Sequence, residues 1–140
     1  MNIYRIKIGL LLRHEIYRIL RPSGVLRLAV PDLDFLMRLY TDQDKYAAFI
    51  QKYCRSFNLE GPPGPISLIN SVFMEHGHRY LYNFQELKDQ LEVAGFRQVR
   101  KMEPGKSDHD DLQNLETNPL ARGETLDLHV GCTLCLEANK

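Results

Sequence analysis

The stretch Glu15-Ile16-Tyr17-Arg18-Ile19-Leu20-Arg21-Pro22-Ser23-Gly24-Val25-Leu26-Arg27-Leu28-Ala29-Val30-Pro31-Asp32 reads as the end of a helix, a proline turn and a strand that stops at Pro-Asp. Ile8, Leu12, Ile16 and Ile19 to Leu20 recur at helical spacing and form one apolar stripe, from which Arg13, Glu15 and Arg18 fall away. Pro22 ends that helix, because its ring cannot continue the hydrogen-bond ladder, and Gly24 is free to take a positive φ in the turn. Val25 to Val30 is nearly continuous apolar sequence of β type, interrupted by Arg27. Such a run predicts a strand covered on both faces, as in a parallel sheet.

Downstream of the strand, Asp32 has the side chain to cap a helix, with Asp34 in the first turn where the helix dipole favours a carboxylate. Leu33, Leu36, Met37, Leu39 and Tyr40 give that helix an apolar side. A second helix is predicted from about Asp44 to Tyr53, on the spacing of Tyr46, Phe49, Ile50 and Tyr53. Gly61-Pro62-Pro63-Gly64-Pro65 breaks the chain into a loop inside one domain. Ile66 to Met74 reads as a short apolar helix or an extended piece. Asn83-Phe84-Gln85-Glu86 is a capping box, with Tyr82 and Leu87 placed as a hydrophobic staple. Leu87, Leu91 and Ala94 to Phe96 carry the apolar face of that helix, and Gly95 stands where a left-handed terminal residue belongs. Arg97 to Glu103 alternates around Val99 and Met102 as a half-exposed strand. Pro104 to Gly123 is polar and without period, which predicts a long loop. Leu126, Leu128, Val130, Leu134 and Leu136 read as a last strand.

The 140 residues suit a single domain, 1–140, and can bury a core. Lys plus Arg and Asp plus Glu number 18 each, so no net charge steers the chain to nucleic acid or to an anionic membrane. Cys54, Cys132 and Cys135 are an odd set without secretory context, which points to reduced thiols and a cytoplasmic protein. No run is long and apolar enough to span a bilayer. Ile8 to Leu12 is short for a signal peptide, so the basic N-terminus reads as an amphipathic helix rather than a targeting segment.

Four motifs in this order resemble the C-terminal half of class I S-adenosylmethionine-dependent methyltransferases, of the type 11-like branch. Arg18-Ile19-Leu20-Arg21-Pro22-Ser23-Gly24 is similar to the family's basic-Val/Ile-Leu-basic-Pro-Gly-Gly passage into its fifth strand. Leu81-Tyr82-Asn83-Phe84-Gln85-Glu86-Leu87 through Ala94-Gly95-Phe96-Arg97-Gln98-Val99 resembles the passage into its sixth. His76-Gly77-His78-Arg79-Tyr80 and Gly105-Lys106-Ser107-Asp108-His109 resemble patterns of bacterial members. The resemblance implies an α/β fold: part of a doubly wound, Rossmann-like sheet, about three strands with a final antiparallel pair, and roughly three to five helices. In the family the fifth strand is followed by two helical segments, and the antiparallel sixth and seventh strands close the sheet. Ser23 replaces the first glycine of the family's turn, so the turn is expected to shift type.

The family's Gly-rich loop and ribose-binding acid have no counterpart in this sequence. The cofactor implied by resemblance is S-adenosylmethionine, with no cofactor-binding residue assigned and the alternative that this chain binds none. The expectation is a chain inactive or incomplete in isolation.

Ligands of open α/β sheets sit beyond the carboxyl ends of the strands, which places Pro31 and Asp32 at the rim of a site. Asp32 and Tyr80 are the candidate substrate contacts, although a helix cap and a core tyrosine are the plainer roles. His76 and His78 lie on a loop between helices and are the candidate proton acceptors for a hydroxyl or amine nucleophile. Cys132-Thr133-Leu134-Cys135 is not read as a metal site, because residues three apart on a strand face opposite ways. Asp108, Asp110 and Asp111 beside His109 read as a solvated loop.

Two other readings stand beside the methyltransferase. Strand Val25 to Val30 would be internal in the family, and a bare apolar edge there invites another chain. A homo-oligomer joined through that edge would make the protein a non-catalytic, self-associating module. A complementary chain carrying the Gly-rich loop would make it half of a split enzyme.

Overall fold

The computed structural model describes residues 12–74, 78, 80–116, 128 and 130–140. Residues 12–19 are helical (α1), and the chain turns into strand β1, Val25–Pro31. The turn is closed by Gly24 N–H donating to Arg21 O at 2.8 Å. Ser23 holds a left-handed φ of 64°. With Pro22 before it, that is the type II arrangement. The expected change of turn type does not occur: serine takes the glycine conformation. Gly24 is needed for space rather than for φ, since a Cβ there would lie 2.8 Å from the Arg21 carbonyl oxygen.

Helices α2 (Leu33–Thr41), α3 (Gln43–Ser56) and α4 (Pro65–Met74) follow β1. Asp32 caps α2 by accepting from Asp34 N at 3.0 Å and Phe35 N at 3.4 Å. Residues 66–74 are helical rather than extended, with Pro65 in the first helical position where its missing N–H is harmless. Leu36, Leu39, Ile50, Tyr53, Leu68 and Val72 bury together, joined by Leu128 and Cys132. The rings of Phe35 and Phe49 meet edge to face at 5.6 Å beside this core.

Helix α5, Phe84–Val93, keeps the cap from Asn83, whose side chain accepts from Glu86 N at 2.9 Å. The Glu86 carboxylate instead serves Tyr80 and Gln90. Phe96 N–H bonds Leu91 O and Gly95 N–H bonds Glu92 O, both at 3.0 Å, with Gly95 at φ 107°. Those two bonds are the Schellman ending.

Strands β1, β2 (Arg97–Met102) and β3 (Thr133–Asn139) form a sheet in the order β1-β3-β2, and both pairings are antiparallel. The expectation of a parallel pairing for β1 is therefore corrected. So is the expectation of apolar cover on both faces. Leu26, Leu28 and Val30 of β1 join Leu134, Leu136 and Ala138 of β3 under α1 and α5. Arg27 and Ala29 point the other way and pair in register with Glu137 and Cys135. The apolar run concealed an alternation, because alanine and a paired arginine both fit a covered strand.

The last strand also starts later than expected. Leu128, Val130 and Gly131 are helical, and Leu126 lies outside the described residues. Leu128 and Cys132 are four apart and bury in the same helical core, a helix spacing that alternation with Val130 masked. Within the expected long loop, residues 103–116 contain a short 3-10 turn, Asp110–Leu112; residues 117–123 lie outside the described residues. Among the described residues no helix is long and apolar enough to cross a membrane.

Candidate functional site

A cavity of about 500 Å3 lies at the carboxyl end of β1. β1 brings Ala29, Val30 and Pro31 to its wall, and the start of β3 brings Cys132 and Thr133. The antiparallel register makes this so, since Pro31 stands opposite Thr133. Val72 of α4 and Leu115 add apolar surface, and His78 reaches the wall from the segment between α4 and α5. Arg27 and Glu116 complete it.

Arg27 is the best-connected side chain of the site. Its Nε and Nη2 hold the Glu116 carboxylate as a fork, at 2.7 Å and 2.9 Å. Nη1 donates to Glu137 Oε1 at 2.7 Å and to Lys106 O at 2.9 Å, and Nη2 reaches Glu103 O at 3.3 Å. All five guanidinium donors are thereby used. The side chains of Arg27, Glu116 and Glu137 are 2%, 8% and 0% exposed. The hydrogen bond from Arg27 holds Glu116 down to about 2, against the opposing effect of burial. The same bond raises the Arg27 pKa above its ordinary value. Arg27 is thus a saturated structural cation with no donor left for an anionic ligand. Glu137 Oε2 is buried without a hydrogen-bond partner and has the Arg100 guanidinium 4.0 Å away.

The two thiols of the Cys-x-x-Cys stretch sit in different surroundings. Cys132 borders the cavity and the helical core, whereas Cys135 lies on the polar face of the sheet near Glu116 and Arg27. Burial pushes both up to about 12, with the Asp32 charge adding to Cys132 and the Glu116 charge to Cys135. Both are protonated at neutral pH and are poor nucleophiles there.

Among the residues singled out from sequence, His78 lines the cavity. His76 lies outside the described residues. Asp32 is buried at the rim as the α2 cap, and its Oδ2 also takes Lys101 Nζ at 3.3 Å. Tyr80 is turned away: it is 43% exposed, donates its hydroxyl to Glu86 Oε1 at 2.5 Å and rests on the Tyr82 ring. That hydrogen bond raises the Tyr80 pKa. Asp108 pairs with Arg100 at 3.4 Å, and Asp110 and Asp111 are exposed.

Arg27, Glu116 and Thr133 were not singled out from sequence. The lone charge inside an apolar strand is a signal that could have found Arg27; Glu116, in a polar loop, carries none. Chemically, the cavity offers an apolar floor and an imidazole able to take a proton from a hydroxyl or amine. Comparison with known proteins finds no matching family model, no matching curated protein and no matching solved structure.

Proposed function

We propose that this chain is related to class I S-adenosylmethionine-dependent methyltransferases and forms the part of that fold that borders the methyl acceptor. The observation that carries the reading is the strand order: β3, last of the three strands, runs antiparallel between β1 and β2. Such an arrangement is what a fifth strand closed by an antiparallel sixth and seventh pair would produce. Helices α2 to α4 and the cavity both lie where β1 ends, in keeping with ligand placement beyond strand carboxyl ends.

The cofactor fits the described residues poorly. Gly24, Gly95 and Gly131 back onto the Arg21 carbonyl, the Tyr17 ring and the Phe49 ring, so none leaves room for a nucleotide. Gly61 faces open space, but the prolines after it lack the N–H groups a phosphate or ribose site uses. Within this chain the cavity is the acceptor side alone, with His78 as the group that takes the acceptor's proton.

Calorimetric titration of the purified chain with S-adenosylhomocysteine, with solution mass on the same sample, tests the proposal. No heat is expected from the chain alone. Micromolar binding would sink the claim that these residues lack a cofactor cradle. A second reading has its own support, since among the described residues β1 is an edge strand whose single charge is drawn inward to Glu116 and Glu137. An edge without an outward charge invites another strand. A dimer mass without binding would favour a self-pairing, non-catalytic module.

A further inference from the structure

The polar face of the sheet supports an inference independent of the methyltransferase reading. Segment 103–116 leaves β2, loops outward and returns, and both its ends meet one guanidinium. Arg27 donates to Glu103 O at one end and to the Glu116 carboxylate at the other. The base is tightened by Gly105 N–H donating to Glu116 Oε2 at 2.7 Å and Asn114 N–H donating to Gly105 O at 2.9 Å. Compact loops whose ends lie together in this way are Ω-loops. None of its residues belongs to either apolar core. Beyond the Arg27 clamp, an exposed pair between Arg100 and Asp108 ties it to the sheet. A segment with polar anchors and little buried apolar surface opens at lower free energy than the cores around it.

We propose that segment 103–116 is a strap that opens as a unit, latched by Arg27 and Glu116, and that its opening bares the cavity at the end of β1 from that side. Leu115 and Glu116 belong to both strap and cavity wall, so lifting the strap removes that side of the wall. The fully used guanidinium then has a positioning role, holding the wall in place.

Three thiols report on the opening. Cys135 is buried on the face near the Glu116–Arg27 latch, Cys54 inside the helical core, and Cys132 where that same core borders the cavity. The experiment is iodoacetamide labelling of the whole chain near pH 8, read by peptide mass spectrometry over low urea concentrations. Cys135 and Cys132 are expected to label together, at least about tenfold faster than Cys54 and with little urea dependence. Glu116→Gln, which removes the charge from the latch, is expected to speed both by roughly tenfold and leave Cys54 unchanged. Equal rates and equal urea dependence at Cys135 and Cys54 would overturn the strap. Cys132 following Cys54 instead of Cys135 would overturn the access route. The wild-type urea series decides both points even if Glu116→Gln fails to fold.

Discussion

On one face of the sheet Leu26, Leu28 and Val30 meet α1 and α5; on the other, Arg27 and Ala29 meet Glu116, Glu137 and Cys135. The same strand supplies both sets by alternation. The first face is held by non-directional burial, which tolerates exchange of one aliphatic side chain for another. The second depends on one guanidinium that cannot be replaced piecemeal, because each partner removed leaves a buried charge behind. A buried ion-pair cluster is therefore brittle without being intrinsically strong, whereas the apolar face is strong and forgiving.

The largest expected effect is at Arg27. Arg27→Met should lower unfolding free energy by about 3–5 kcal/mol in urea titrations, because Glu116 and Glu137 lose their shared cation. Leu136→Ala, fully buried on the opposite face, is the comparison at about 2–5 kcal/mol. The contrast sharpens with the triple variant Arg27→Met, Glu116→Leu, Glu137→Leu. It should recover most of the loss, since removing all three charges together strands none of them. A triple variant no better than Arg27→Met alone would show that the polar face contributes real stability.

Acid should act on the second face before the first. Glu116 is held down to about 2 from an ordinary 4.5. A lowered carboxylate pKa stabilises the fold above the unfolded value and loses that contribution as pH falls toward the folded one. The contribution is present above roughly pH 4.5 and mostly gone by pH 2. Urea midpoints of wild type and Glu116→Gln should converge across that window. Parallel curves would mean that Glu116 is not the group being titrated.

The smallest expected effect touches neither face. Ser23→Gly relieves a left-handed serine and should stabilise by roughly 0.5–1 kcal/mol, measured as a higher thermal midpoint. The gain should leave the ratio of Cys135 to Cys54 labelling unchanged if strap and cores open separately.

Legibility in the sequence followed the range of the interactions. Helix α5 was readable from end to end, because Asn83, Leu87, Leu91 and Gly95 act within a few residues of one another. The α2 cap at Asp32 was readable for the same reason. The antiparallel pairing of β1 was not, since alternation within a single strand does not name its neighbour. Part of the site followed from placement: Pro31 lines the cavity at the end of β1, where the strand-end rule puts a ligand, and His78 lines it from the loop between helices. The clamp did not, because Arg27 is 89 positions from Glu116 and 110 from Glu137.

The position of β3 in the sheet bears on how the molecule is made. Val25 waits for Asn139 and Met102 for Cys135. During synthesis both outer strands emerge before the strand that joins them, with their facing edges unpaired in the interval. Sheets that depend on such distant pairings fold slowly and expose sticky edges while they wait. The newborn chain thus passes through a stage at which a chaperone has reason to hold it.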